Sequence, residues 1–479
     1  MGSLRIKTAK NLGIVYTANL LTRIFGMGAT IILARLLTPQ DFGLVALSGI
    51  IIAIVVLFQD FGLGAALVQR QSDIDEATNV VFYSTILIKF VLYSIVFVIA
   101  PFAAGFFDEP IVANIIRISG LALIIDAFAA GHHTLMGKNL EFKKLMSIDV
   151  VSKVFSSLLS IIFALLGFSF WSLVYGSLAA APLRLILYWY ASSWRPKFSF
   201  NKKVAHEMVR FGGWVMFSNI MAFFRSNTDS FFIGKFLNVS SLGIYNMGMK
   251  WGLIGLNYIA RPMNNVLFPT FSSIQEKKEK LQKAYLKGLK YTNLVTIPLA
   301  LGTLAIAPEF VKFILGEKWI EVILPLQIFS IYGLFFSMSI PGHNVLFAVG
   351  RAKLASKINT AQLIVILVSI YPLLLWWGIV GVALCVTLSA IIISLIWLVL
   401  ICSSLGITFS ASFEALKVPT IASLIMFFST ILVKMLIGSS LHSLFIFIIF
   451  GFMIYFSALY QMDREIFTEF KEIISTFKK

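Results

Sequence analysis

Charge is scarce in this chain. Asp, Glu, Lys and Arg make up 13% of its 479 residues, while 59% are hydrophobic. A soluble domain carries about 25% charged and about 45–50% apolar residues. The shortage excludes an ordinary soluble enzyme, a disordered chain and a fibrous protein. Cysteine is nearly missing too. Cys385 and Cys402, both in or beside apolar runs, leave no disulfide framework and no C-x-x-C metal motif. No G-x-x-x-x-G-K-[ST] phosphate loop occurs, so the chain is not expected to hydrolyse ATP by itself. Acidic residues are outnumbered 22 to 39, for a net charge of +17.

What is present is apolar sequence in long runs, with a mean hydropathy of +0.91. A bilayer core of ~30 Å takes ~20 apolar residues per helix. About 14 such runs follow one another. They lie near 12–36, 41–68, 78–103, 111–136, 145–167, 169–191, 208–237, 241–269, 286–312, 320–348, 355–377, 379–402, 415–437 and 441–461. They are apolar all round rather than alternating, which argues against barrel strands. The basic start (Arg5, Lys7, Lys10) leads into a run longer than a signal-peptide core, so a retained first helix is expected.

The loops give an orientation. Odd-numbered connections are tiny, as at Thr38 to Asp41, Phe107 to Pro110, Gly167 to Ser169, Asn238 to Ser241 and Gly378. Even-numbered ones are longer and basic: Arg70; Lys138, Lys143 and Lys144; Arg195, Lys197, Lys202 and Lys203; the run from Lys277 to Lys290; Arg351, Lys353 and Lys357. The tail adds Arg464, Lys471, Lys478 and Lys479. The positive-inside rule then places both termini in the cytoplasm. It also absorbs most of the positive charge, so no nucleic-acid partner is expected. Ile274, Leu281, Tyr285 and Leu289, and again Ile466, Phe470, Ile473 and Phe477, recur at helical spacing among basic residues. Both stretches are expected to form amphipathic helices on the inner membrane surface.

An internal repeat is visible at a constant offset. Ala34-Arg35-Leu36-Leu37-Thr38 with Phe42-Gly43 aligns without a gap onto Gly234-Lys235-Phe236-Leu237-Asn238 with Leu242-Gly243. A second echo pairs Gly137-Lys138 with Gly350-Arg351. The expected architecture is an all-α integral membrane protein with two six-helix lobes, 1–200 and 201–403, related as parallel repeats. A helix pair and amphipathic tail, 404–479, follow. Paired lobes imply a central cleft and alternating access.

The stretch Ile32-Leu33-Ala34-Arg35-Leu36-Leu37-Thr38-Pro39-Gln40-Asp41-Phe42-Gly43 resembles the first hairpin of the polysaccharide transporter family, the O-antigen and exopolysaccharide flippases. Thr22-Arg23-Ile24-Phe25-Gly26 upstream and Phe61-Gly62-Leu63-Gly64-Ala65-Ala66-Leu67-Val68 downstream fit it as well. That family belongs to the multidrug/oligosaccharidyl-lipid/polysaccharide exporter superfamily. The resemblance implies 14 helices in two lobes, and transport of a polyprenyl-pyrophosphate-linked oligosaccharide from the inner to the outer leaflet of a bacterial cytoplasmic (inner) membrane. It also implies membrane lipids, and a polysaccharide polymerase or glycosyltransferases, as neighbours.

Charged residues inside a span are costly and so are functional candidates. Arg23, Asp60, Lys89, Arg117, Asp126, Lys153, Arg184, Arg225, Asp229, Lys250 and Arg261 all lie in the first eight runs, and runs 9–12 show none at comparable depth. Eight of these are basic and three acidic, an excess suited to a pyrophosphate, which arginine meets bidentately. Asn246, Lys250, Asn257 and Arg261 form one helical stripe, as do Tyr16, Asn19, Arg23 and Thr30. The substrate-binding candidates are Arg23, Asn19, Lys89, Arg117, Arg225, Lys250, Asn257 and Arg261. The candidates for coupling to H⁺ or Na⁺ are Asp60, Asp126 and Asp229. No metal or organic cofactor is expected. Lys153 and Arg184, nearer the cytoplasmic end, are expected to be structural. So are His132 and His133, with proton relay the rival role.

Two rival readings remain at this stage. A cation-coupled multidrug exporter of the same superfamily would want an acidic, aromatic site rather than a basic one. A membrane polysaccharide polymerase or ligase would need a sizeable external loop, and the external connections are too short to build a catalytic site. A transporter, not an enzyme, is therefore expected.

Overall fold

The computed structural model describes residues 21–59, 61–198 and 201–469; the side chains of 202–203, 209–219, 221–222, 225 and 352 lie outside the described set. Asn19, Asp60, the Arg225 side chain and the tail residues Phe470, Ile473 and Phe477 therefore fall outside it. Among the described residues the chain is helical, without strands. Eight helices are long and apolar enough to cross a membrane, or nine if one bent pair is a single span. The chain divides into two compact units, Met1–Gly243 and Ile244–Lys479.

The first unit holds α1 (residues 21–36), α2 (Pro39–Val56), α3 (Leu63–Gln69), α4 (Ile74–Phe106), α5 (Ile111–Ala127), α6 (Ala130–Lys138), α7 (Phe142–Leu165), α8 (Trp171–Ala191), α9 (Lys202–Phe236) and the first turn of α10 (Val239–Gly252). The polar matches of the internal repeat prove to be helix caps. Thr38 caps α2 in a reciprocal box: its hydroxyl accepts from the Asp41 amide at 3.3 Å, and its own amide donates to Asp41 Oδ2 at 2.7 Å. Asn238 does the same work at the start of α10, where its Oδ1 accepts from the Ser241 amide at 2.7 Å.

The second run is broken between α2 and α3, where Phe61 (φ 47°) and Gly62 (φ 72°) turn left-handed. The fourth is broken too, with α5 and α6 meeting at 54°. Lys138, at the end of α6, donates to the carbonyls of Leu67 and Val68 at 3.1 and 3.2 Å and also to that of Arg70. It caps the end of α3, where a cation offsets the helix dipole.

The second unit holds the rest of α10, a π-helical turn (Leu256–Ala260), α11 (Arg261–Ser273), α12 (Lys278–Glu309), a second π turn (Phe310–Leu315), a 3₁₀ turn (Glu317–Val322), α13 (Ile323–Ala348), α14 (Ala352–Leu405), α15 (Phe409–Ile437) and α16 (Leu441–Met462). α14 is two helices folded back at Gly378, the non-helical residue within it (φ 54°, ψ −134°). A Cβ on Gly381 would lie 1.9 Å from the Leu373 carbonyl oxygen, whereas a straight helix separates such residues by about 12 Å. Only glycine permits so tight a reversal. Trp376 and Trp377, 72% and 56% exposed beside the turn, suit an interfacial aromatic belt.

A recurrent device steadies the prolines. Proline inside a helix frees the carbonyl four residues earlier, and at three prolines in two helices a side chain from a neighbour takes it up. Pro101 frees Phe97, whose oxygen accepts from Arg117 Nε at 3.2 Å. Pro298 frees Leu294, which accepts from the Tyr455 hydroxyl. Pro308 frees Leu304, which accepts from Gln327 Nε2 at 3.1 Å.

One expectation is corrected here. The apolar stripe of Leu281, Tyr285 and Leu289 is buried inside the second unit, and α12 runs straight through it into the membrane-length helix. It is held from within by the Gln282 amide on the Leu405 carbonyl at 2.7 Å. Of the tail stripe only Ile466 lies within the described residues, and the start of the tail rests on protein. Ile466 is buried in a cluster with Leu294, Tyr455 and Leu459, while Lys287 reaches Glu469 at 3.0 Å and Lys290 reaches Asp463 at 2.5 Å. Apolar stripes seek any apolar cover, and here the unit's own helices provide it.

Candidate functional site

Within the first unit, five helices bring ionisable side chains to one place. Asp126 stands at the end of α5, where its carboxylate meets the Arg184 guanidinium of α8, Nε to Oδ1 at 3.2 Å, with a second contact from Nη2 to Oδ2. His133 of α6 packs its ring edge-on against Tyr188 at 5.5 Å between centroids. Tyr188, His133 and Arg184 all lie within electrostatic reach of the Asp149 carboxylate on α7. Lys89 of α4, 6% exposed, adds its charge near His133. The sum is two carboxylates, two permanent cations and an imidazole, a set able to bind and release protons or to rearrange ion pairs around a visiting charge.

The α5–α6 break lies beside this cluster, and α8 staples it. Arg184 holds the α5 side through Asp126. Trp189 Nε1 donates to the Phe128 carbonyl at 2.9 Å, satisfying a group freed by the break itself. Tyr188 meets His133 on the α6 side. His132 turns the other way, fully buried between Trp189 and Trp194 with ring centroids 4.7 and 5.1 Å away, so it packs rather than relays.

The other expected site residues are dispersed. Arg117 donates through Nε to the Phe97 carbonyl at 3.2 Å and lies 4.5 Å over the Phe97 ring. Arg23 is half-buried on α1, and Asp229 is 7% exposed on α9, its Oδ1 accepting from the Ser230 amide at 2.8 Å. In the second unit Lys250 and Arg261 are exposed and Asn257 is half-buried. Their stripe is not one regular helix face: α10 ends at Gly252, and the π turn that carries Asn257 widens the helix before Arg261 opens α11. π turns are frequent at functional sites, which keeps Asn257 among the candidates.

Two carboxylates were missed by looking only at the middles of runs. Asp149 sits four residues inside its run. Glu309 sits near the end of the ninth run, shallow along the sequence yet buried in the fold. It is 2% exposed, paired with Lys434 Nζ of α15 at 2.8 Å and with the Ser439 hydroxyl at 2.7 Å. A charge this buried survives in hydrocarbon only because its partners complete it. Pro308 beside Glu309, and Lys434 deep in a late apolar run, were the available signals. Among the described residues no group of three His, Cys, Asp or Glu side chains could hold a metal ion.

Comparison with known proteins gives a consistent picture. A family model described as "Polysaccharide biosynthesis protein" matches residues 32–324. The chain is 26% identical to the lipopolysaccharide biosynthesis protein WzxC of Escherichia coli, over 82% of this chain and 80% of that protein. It is 25% identical to the teichuronic acid biosynthesis protein TuaB of Bacillus subtilis, over 75% of each. Among solved structures, the lipid II flippase MurJ in an inward closed conformation matches with a TM-score of 0.78 at 16% identity, covering 95% of this chain and 99% of that one. An inward-facing multidrug resistance transporter of the MATE family matches with a TM-score of 0.62 at 15% identity, over 80% and 94%.

Proposed function

The chain belongs to the polysaccharide biosynthesis protein family, and from that premise we propose that it is a flippase moving a polyprenyl-pyrophosphate-linked oligosaccharide from the inner to the outer leaflet. One observation carries this reading: the fold is shared, over nearly the whole chain, with a lipid II flippase. In this proposal the chain crosses a bacterial inner membrane 14 times, in two six-helix lobes and a final pair, with both termini cytoplasmic. It works by alternating access and makes or breaks no covalent bond.

The chemistry follows from the cargo. A pyrophosphate brings about two negative charges and many acceptor oxygens, which call for guanidinium and ammonium groups and not for a nucleophile. Arg23, Lys89, Lys250 and Arg261 are proposed as the cations that meet it, with Asn257 on the π turn donating to the saccharide or phosphate oxygens. Arg117 is left out, because its guanidinium is committed to the backbone of α4.

The test is reconstitution. Vesicles containing the protein should expose a fluorescent polyprenyl-pyrophosphate disaccharide to an external reagent faster than empty vesicles, and Arg23→Ala or Arg261→Ala should reduce the rate at least tenfold. Arg23→Lys should recover part of it, since a point charge cannot chelate two oxygens. Flipping no faster than in empty vesicles, together with uptake of a cationic dye, would establish the multidrug reading instead.

A further inference from the structure

We propose that Lys153 of α7 is a phosphate-binding cation, set beside Arg23 on the seam between α7 and α1. The proposal rests on the transport reading above and adds to it a further residue for the cargo. Three sides of α7 can be told apart. Val151, Phe155, Leu158 and Ile162 are exposed along one of them, an apolar strip suited to lipid. Ser156 and Ser160 lie on another, so close to α8 that a Cβ on Gly176 would stand 2.0 Å from the Ser160 hydroxyl oxygen. Ile161 and Ala164 lie on the third and pack on Leu33 and Leu37 of α1. At about 100° per residue, Lys153 points away from the lipid strip, into the angle between the α8 side and the α1 side. It keeps accessible surface there. An ammonium on the lipid strip would have to snorkel to reach water; one turned inward meets whatever enters between the helices.

The α1 side is fixed by contact. Lys153 Cε lies 4.0 Å from the place of a Cβ on Gly26, so the glycine leaves the lysine chain room to lie against α1. Gly26, Thr30, Leu33 and Leu37 share one face of α1 by their helical spacing, and the Thr30 hydroxyl donates back to the Gly26 carbonyl at 2.7 Å. Arg23 stands on the same face one turn before Gly26. The two helices thus bring two permanent cations to one seam. Lys153 makes no hydrogen bond and no ion pair among the described residues. Asp149 precedes it on α7 at a spacing that favours pairing, yet no bridge between them forms among the described residues. Like charges brought together inside a span are unfavourable unless an anion enters between them. A phosphate or pyrophosphate group does so, taking the guanidinium fork on one side and the ammonium on the other. Depth along the run suggests a structural lysine; its side of the helix and its contact with Gly26 argue for a ligand.

Two readouts test this. The first needs no transport. In detergent, an amine-modifying reagent should label Lys153, as read by peptide mass spectrometry. Inorganic pyrophosphate should protect it where chloride at the same ionic strength does not, and Arg23→Ala should weaken the protection. Equal protection by glycerol phosphate, the headgroup unit of ordinary bilayer lipids, would make the seam a lipid site and overturn its assignment to the cargo. Labelling that pyrophosphate leaves unchanged would overturn the anion site itself. The second readout is the flipping rate in vesicles. Lys153→Met should lower it at least about tenfold, the scale of one lost hydrogen bond to a charged group, with unchanged melting in detergent. Lys153→Arg should keep most of the rate. Gly26→Leu, which crowds the lysine chain off α1, should lose it as Lys153→Met does. If Asp149→Asn restores the rate lost by Lys153→Met, Lys153 serves as the partner of Asp149 and the proposal falls. If pyrophosphate protects Lys153 but no lipid-linked saccharide is flipped, the anion site stands and the cargo assignment falls.

Discussion

Gly43 and Gly243, 200 residues apart, face each other where the first turns of α2 and α10 cross. A Cβ built on Gly43 would lie 1.8 Å from the carbonyl oxygen of Val239, and one built on Gly243 would lie 2.0 Å from that of Pro39. The contact is reciprocal. Each glycine meets the residue that is the repeat partner of the other's own neighbour, as two copies of one hairpin would if they crossed about an axis through the contact. Both partners are backbone atoms, so no rotamer change can relieve a clash.

Gly43→Ala and Gly243→Ala are therefore expected to destabilise the protein by similar amounts, about 1–3 kcal/mol, the range for forcing one methyl into a packed contact. The double variant should cost less than the two singles added together, because the first methyl already separates the turns for the second. Thermal unfolding in detergent checks both statements. Wild-type melting for either single variant would show that the turns can part without loss.

Topology is open to labelling. Cysteine replacing Ser240, in the first turn of α10, should react with an impermeant thiol reagent in intact cells. Cysteine replacing Lys278 or Ser475 should be protected until the membrane is permeabilised, after Cys385 and Cys402 have been replaced. Reaction of the latter two from outside would reverse the proposed orientation.

The sequence carried the helical, membrane-spanning class because apolar runs of this length have no other use, and Thr38 with Asn238 stood out as polar matches of the repeat before the structure showed them as caps. The breaks were harder. Nothing in 111–136 announces a 54° bend at Phe128, since its stabilising contacts come from Trp189 and Arg184 on another helix. The contact of Arg117 was hidden for a related reason: an arginine within a run signals unmet charge or unmet backbone alike, and its bond to the Phe97 carbonyl depends on Pro101 lying 16 residues away in the preceding helix. Asp149 was passed over because depth along a run is a poor guide to what surrounds a side chain.

The buried Glu309–Lys434 pair should act as a clasp between α12 and α15. Glu309→Gln alone leaves Lys434 without its charge partner in an apolar setting, and Lys434→Met alone leaves the carboxylate. Each is expected to cost about 3–5 kcal/mol, the range for breaking a buried pair from one side. The combined variant should be more stable than either single one, since no charge is then stranded. A double-mutant cycle on unfolding midpoints measures this, and additive losses would mean that the pair contributes nothing jointly.

The last prediction separates structure from ligand binding at Arg117. Removing the guanidinium by Arg117→Ala strands the Phe97 carbonyl that Pro101 has freed, and an acceptor left unsatisfied away from water costs about 1–3 kcal/mol. If that is the whole of its role, restoring the missing amide should repair the damage. Pro101→Ala returns an N–H to the helix at the position that reaches Phe97, so the pair Arg117→Ala with Pro101→Ala should recover most of the stability and the transport lost by Arg117→Ala alone. A phosphate ligand could not be rescued in this way, because straightening α4 supplies no cation. Recovery of folding without recovery of transport would therefore return Arg117 to the substrate site, and recovery of both would confirm that its charge serves the backbone of α4.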